Sequence, residues 1–264
     1  MLEKLAKQTA VYGISTIVVR FLSYLLTPIF TRVFEPGAYG IVTDVYALIP
    51  FALVVLTMGL ESAYFRFAAK ADAAAVAAGG TAEEIAVRAR AGKRRLFATT
   101  WGVTLLAASL FFLLAALGRE RIAEWMGEAY VAHPEYVLLV AAIVWFDVAS
   151  CLPFSRLREQ GRAMTFVGIK ALGVVVNVVL AIGFAYAGLY GTPFGVGWVF
   201  IANLVASVLT FSVILLTTAR TMPRIDRHLL AAVLVYSLPL LVSGIAGTAN
   251  EFIDRQMIKY LLPE

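Results

Sequence analysis

Charge is what this 264-residue chain has little of. Asp, Glu, Lys and Arg make up 15% of it, whereas soluble domains carry about a quarter. Hydrophobic residues reach 61% and the mean hydropathy is +0.85, which excludes a soluble globular fold and implies an integral membrane protein. Cysteine is present once, as Cys151, so no intrachain disulfide can form, and the residue reads as a small apolar helix side chain. Histidine is confined to His133 and His228, both outside the apolar runs, so no intramembrane imidazole supports acyl transfer. No GxxxxGK[ST] loop occurs, so direct nucleotide hydrolysis is not indicated. The apolar runs lack strict alternation and are too long for strands, which argues against a barrel. The formal charge of +5 is spread over short segments between apolar runs and forms no basic face with interleaved aromatics, so nucleic acid is not the expected partner.

What is there is a series of seven runs long enough to span about 30 Å of hydrocarbon as helices. They cover residues 10–30, 39–63, 96–117, 136–154, 164–187, 194–217 and 229–249. The expected fold is all-α, a polytopic membrane helix bundle. The start of the chain is not a cleavable signal, because its apolar region is too long, contains Arg20 and lacks a small-residue cleavage site. Alternate connections differ in basic content. One set carries fifteen Lys and Arg residues, the other only Arg32, Arg119 and Arg121, which places the N-terminus in the cytoplasm. The longest cytoplasmic connection, 68–95, is expected to be a loop with a short helix starting at Thr81, where Glu84 completes a capping box.

Charges inside the runs are the informative residues. Arg20 sits near the middle of the first run, where a guanidinium costs several kcal/mol or more unless it meets a partner or a wet cavity. Tyr12, Thr16, Arg20, Ser23, Tyr24, Thr27 and Thr31 follow helical steps, so this stripe is expected to face protein or water. Asp147 in the fourth run and Lys170 in the fifth lie at similar depth and are candidates for an ion pair. Lys170, Gly173 and Asn177 share one helical face, as do Asn203, Ser207 and Thr210, and such faces serve helix packing. Asp44 and Glu61 stand near opposite ends of the second run as possible coupling carboxylates. Asp254 and Arg255 follow the seventh run, and a bend at Pro239 would bring Arg255 toward a central cavity. No cofactor is called for. Glu120, Glu124, Glu128 and His133 between the third and fourth runs read as solvated charge, and no metal site is expected.

The order Lys7-x-Thr9-x-x-Tyr12-Gly13, the run containing Arg20, and then Pro28-x-x-Thr31-Arg32-x-x-x-Pro36-x-x-Tyr39-Gly40 resembles the start of bacterial Wzx-type oligosaccharide flippases. These form the polysaccharide branch of the superfamily that also holds MATE exporters and lipid II flippases. Gly59 to Arg66, reading GLESAYFR, and Asp254-Arg255 with Ile258-Lys259-Tyr260 agree with it. The resemblance implies a six-helix N-terminal bundle over residues 1–217. A linker and a seventh span, 218–264, would then open a second bundle. It also implies alternating-access transport of an undecaprenyl-diphosphate-linked oligosaccharide at the bacterial cytoplasmic membrane. A diphosphate head group needs cationic donors, so Arg20, Arg255 and Lys170 are the expected substrate contacts, with Asp147, Asp44, Glu61 and Asp254 as coupling or ion-pair partners. Such flippases usually have twelve or more spans, so seven are expected to be part of a longer protein. One rival is a MATE-type cation exporter, which would line its cavity with carboxylates. Another is a membrane enzyme of glycan assembly, a polymerase or lipid-dependent glycosyltransferase, which would carry its acids outside the bilayer.

Overall fold

The computed structural model describes residues 26–218 and 221–261, with side chains described through residue 248. The regular elements among them are all helical: α1 (Thr27–Val33), α2 (Pro36–Thr57), α3 (Leu60–Ala77), α4 (Ala82–Leu117), α5 (Arg119–Met126), α6 (Glu128–Val131), α7 (Glu135–Glu159), α8 (Ala163–Tyr186), α9 (Gly197–Thr218) and α10 (Arg227–Leu261), with a 3-10 turn at Leu189–Gly191. Among the described residues six stretches are long and apolar enough to cross a bilayer: Pro36–Ala77 (α2 with α3), Ala82–Leu117, Glu135–Glu159, Ala163–Tyr186, Gly197–Thr218 and Arg227–Thr248. They correspond to the second to seventh runs of the sequence. Most of the first run, with Arg20, lies outside the described residues.

The bundle is built around α7. Its most apolar window is 67% buried, twice the share of any other candidate span, and it packs against α4 on one side and α9 on the other. A helix apolar on all faces belongs in the middle. Pro153 stands inside α7 and has no N–H, so the carbonyl of Ala149, four residues earlier, loses its helical donor. The indole Nε1 of Trp101 on α4 donates to that carbonyl at 2.9 Å. In hydrocarbon no water would replace it. Trp101→Phe is therefore expected to cost about 1–3 kcal/mol, and markedly less in a Pro153→Ala background, where the helix supplies its own N–H. Denaturant titration in detergent of the four proteins of this double-mutant cycle checks it.

Two sequence expectations are corrected. The run 39–63 is not one helix: α2 ends at Thr57, and Met58 (φ 50°) and Gly59 (φ 68°) both take the left-handed conformation before α3 begins. Apolar content alone cannot report this, because Met58 and Gly59 do not interrupt the hydropathy. The break also lets α10 come close, since a Cβ at Gly59 would lie 2.7 Å from the backbone oxygen of Ser237. The expected loop 68–95 is instead a helical hairpin, in which α3 runs on to Ala77 and α4 starts at Ala82 and continues for 36 residues. Its Ala-rich composition favours helix. The capping box is formed: Thr81 N–H donates to Glu84 at 2.9 Å, and Glu84 N–H donates to the Thr81 hydroxyl at 3.3 Å. At the base of this hairpin Lys93 reaches Asp72 on α3 and Glu159 on α7, both at 2.7 Å, joining three helices.

The linker before α10 is fastened to α4. Asp226 accepts the Leu229 N–H at 3.1 Å, capping α10, and also takes the guanidinium of Arg95. The backbone N–H of Leu229 first, and Arg95 second, hold its carboxyl below the ordinary range. A depressed folded value means the stabilisation is present above the unfolded value of about 3.9 and is lost as pH falls through the lower folded one. Asp226→Asn is expected to flatten the decline of the melting temperature below about pH 4, measured by thermal unfolding across pH 2–7.

Candidate functional site

On α7 the steps from Asp147 to Cys151, Phe154, Ser155 and Arg158 keep these side chains on one face, although the helix is otherwise apolar. That face lines a cavity of about 320 Å³, into which Glu61 comes from the first turn of α3, Phe166 and Lys170 from α8, and Thr210 from α9. Two carboxylates and two cations thus line one cavity between the helices. The left-handed break at Met58–Gly59 sets Glu61 there, because it starts α3 within the span and no side chain caps its first N–H groups. Glu61 sits in the first turn of that helix, where the positive end of the dipole favours an acid.

Each charged group has a distinct seat. Asp147 Oδ1 accepts the Ser207 hydroxyl of α9 at 2.8 Å. The Cys151 thiol donates to a Glu61 oxygen, tying α7 to α3. The Lys170 ammonium lies 4.3 Å from the centroid of the Phe154 ring, and the Arg158 guanidinium 5.2 Å from that of Phe65. Cations over aromatic faces are held without being neutralised. The cavity therefore offers cations, carboxylates and hydroxyls side by side, so a ligand that carries both anionic oxygens and hydroxyl donors finds a partner for each.

The sequence brings Asp147, Glu61 and Lys170 forward, and the structure sets all three in this cavity. The Asp147–Lys170 ion pair expected from depth does not form: no such contact occurs within 4 Å among the described residues. Ser207 occupies the carboxylate, and the stem of Lys170 carries its ammonium to Phe154. The two remain electrostatic neighbours. Ser207, on a face expected to serve helix packing, is also the partner of Asp147. Asp44 is elsewhere, half-buried on α2 beside Tyr130 of α6, toward the opposite end of the bundle. Asp254 and Arg255 lie on the last turns of α10, a helix that runs on through Pro239 to Leu261, and their side chains are outside the described set. Arg158 and Cys151 were missed. The signal for both was the helical spacing from Asp147, overlooked because Arg158 also counts as a topology charge.

Away from this cavity, residues 119–131 are not a plain loop but the helices α5 and α6, and His133 Nδ1 lies 2.8 Å from Glu135 with its ring stacked on Tyr136. Among the described residues no cluster of His, Cys, Asp and Glu has the makings of a metal site.

A polytopic helical membrane protein with a charged cavity between its spans is the class this architecture defines. The family model for polysaccharide biosynthesis proteins matches residues 5–264, and the chain belongs to that family. No curated protein and no solved structure matches it.

Proposed function

We propose that this chain is a transporter, or the N-terminal part of one, that flips an undecaprenyl-diphosphate-linked oligosaccharide across the bacterial cytoplasmic membrane by alternating access. The cavity shared by Glu61, Asp147, Arg158 and Lys170 carries the reading, because it sets two cations, each seated on an aromatic ring, beside carboxylates and hydrogen-bonding groups between apolar helices. Membership in a polysaccharide biosynthesis family supports the glycan part of it. Lys170, Arg20 and Arg255 are the assigned head-group contacts, since a diphosphate leaves water only for donors that match its oxygens. Asp147 and Glu61 are the assigned coupling groups, while Asp44 and Asp254 remain candidates on sequence grounds. The basic end of the bundle is assigned to the cytoplasm.

Arg20→Ala is expected to lower export of the glycan at least tenfold at unchanged membrane level, read by surface-glycan staining of cells that depend on the protein. Wild-type export would overturn the assignment. The same carboxylates favour one second reading, a cation exporter. In that case Arg20→Ala would leave glycan export untouched, while Asp147→Asn would abolish resistance to a lipophilic cation.

A further inference from the structure

Where the linker between α9 and α10 crosses α4, two cavities meet. The crossing is pinned by backbone: Arg224 N–H donates to the Ala98 carbonyl at 3.1 Å, the Thr99 hydroxyl donates to the Arg224 carbonyl at 3.2 Å, and Asp226 N–H donates to the Thr99 hydroxyl at 3.3 Å. One turn deeper Gly102 lets the linker lie close, since a Cβ there would meet Ile225 at 3.3 Å and Pro223 at 3.5 Å. The first cavity, about 770 Å³, has Arg94, Arg95 and Arg224 on its walls, with Asp226 as its acid. That acid is engaged by Arg95 and by the first turn of α10, and among the described residues on the walls three guanidinium groups stand against one carboxylate, a formal surplus of positive charge.

The second cavity, about 330 Å³, shares Pro223 and Ile225 with the first and continues along α4 over Gly102, Leu105, Leu106 and Ser109. Polar and basic at one end and mostly apolar at the other, the compound site points from the interface toward the bilayer interior. Arg95 and Ser109 are 14 residues apart, or about 21 Å of helix, comparable with one leaflet of hydrocarbon and its head-group layer. Met222 beside the arginines is 84% exposed and Leu106 beside the groove 62%, so apolar surface flanks both parts.

We propose that this site holds one anionic phospholipid of the surrounding bilayer, with its phosphate among Arg94, Arg95 and Arg224 and one acyl chain along the groove. A soluble anion would leave the groove unused, and a zwitterionic lipid would gain little from the surplus charge. Basic pockets between spans near the interface favour anionic head groups for the same reason. The inference does not rest on the transported substrate. Its consequence is mechanical, because such a lipid bridges α4 and the segment that leads into α10.

The test is native mass spectrometry of the full chain released from micelles doped with equal phosphatidylglycerol and phosphatidylcholine. One phosphatidylglycerol is expected to be retained in preference to phosphatidylcholine. Arg94→Gln/Arg224→Gln is expected to lower that retention at least tenfold, and Ser109→Phe, which fills the groove, severalfold. Arg119→Gln/Arg121→Gln at the other end of the bundle should leave it unchanged. Equal retention of the two lipids by the unaltered chain overturns the proposal, as does unchanged retention in Arg94→Gln/Arg224→Gln. A water-soluble glycerophosphodiester competing as well as the lipid would make this a site for soluble anions and also overturn it. Preference for an isoprenoid diphosphate over phosphatidylglycerol would do the same. The competition arms use the unaltered chain, so they decide the matter even where a variant fails to fold.

Discussion

Lys170→Leu is expected to reduce transport of a diphosphate-linked lipid by about ten- to a hundredfold, and Lys170→Arg to restore most of it. A hydrogen bond to a charged group contributes about 1.5–3 kcal/mol, and each 1.4 kcal/mol is a factor of ten. Lys170 is exposed, with its ammonium on the Phe154 ring and no carboxylate within 4 Å among the described residues, so its charge is available to a ligand. Losing that charge removes an interaction and leaves the fold intact. The measurement is flipping of a fluorescent isoprenoid diphosphate in proteoliposomes, alongside melting temperature. Equal transport by Lys170→Leu would show that the cavity does not contact the head group. A lower melting point with transport preserved per folded molecule would make Lys170 a packing residue.

Gly59→Val is expected to destabilise the protein by about 2–5 kcal/mol. The left-handed backbone costs an ordinary residue about 1–2 kcal/mol, and crowding adds about 1–3 kcal/mol. Crowding is unavoidable at this position because the new Cβ would lie 2.7 Å from a backbone oxygen of α10, which cannot rotate away as a side chain would. Met58→Gly is the matched control. It relieves a positive φ at the adjacent position at the cost of greater freedom in the unfolded chain, so little net change is expected. Thermal unfolding in detergent separates the two, and a Gly59→Val protein as stable as the parent would mean that α10 does not press on the break.

The positions of the second to seventh spans were legible because hydropathy reports burial in lipid directly, and the capping box at Thr81 was legible because it is local. The break at Met58–Gly59 was not, since both residues are apolar or small and only their backbone angles differ from helix. The hairpin of α3 and α4 was mistaken for a loop because charges such as Lys70, Asp72 and Lys93 end an apolar run without ending a helix. In the cavity, Asp147 and Lys170 were found as isolated charges in apolar runs, while Arg158 was hidden by its nearness to the interface. The partners of these groups could not be read from one sequence. Whether Asp147 meets Lys170 or Ser207 depends on helix rotation, and a few tens of degrees of rotation leave no trace in composition.

Three arginines at the basic end rest on rings: Arg66 on Tyr236 at 4.2 Å, Arg156 on Phe97 at 4.6 Å and Arg158 on Phe65 at 5.2 Å. A guanidinium keeps its proton at any physiological pH, and a neutral ring face has no proton to lose there. A carboxylate partner would have made each of these seats sensitive to acid. Seated on aromatics, these three cations keep both their charge and their places without depending on the protonation of an acid.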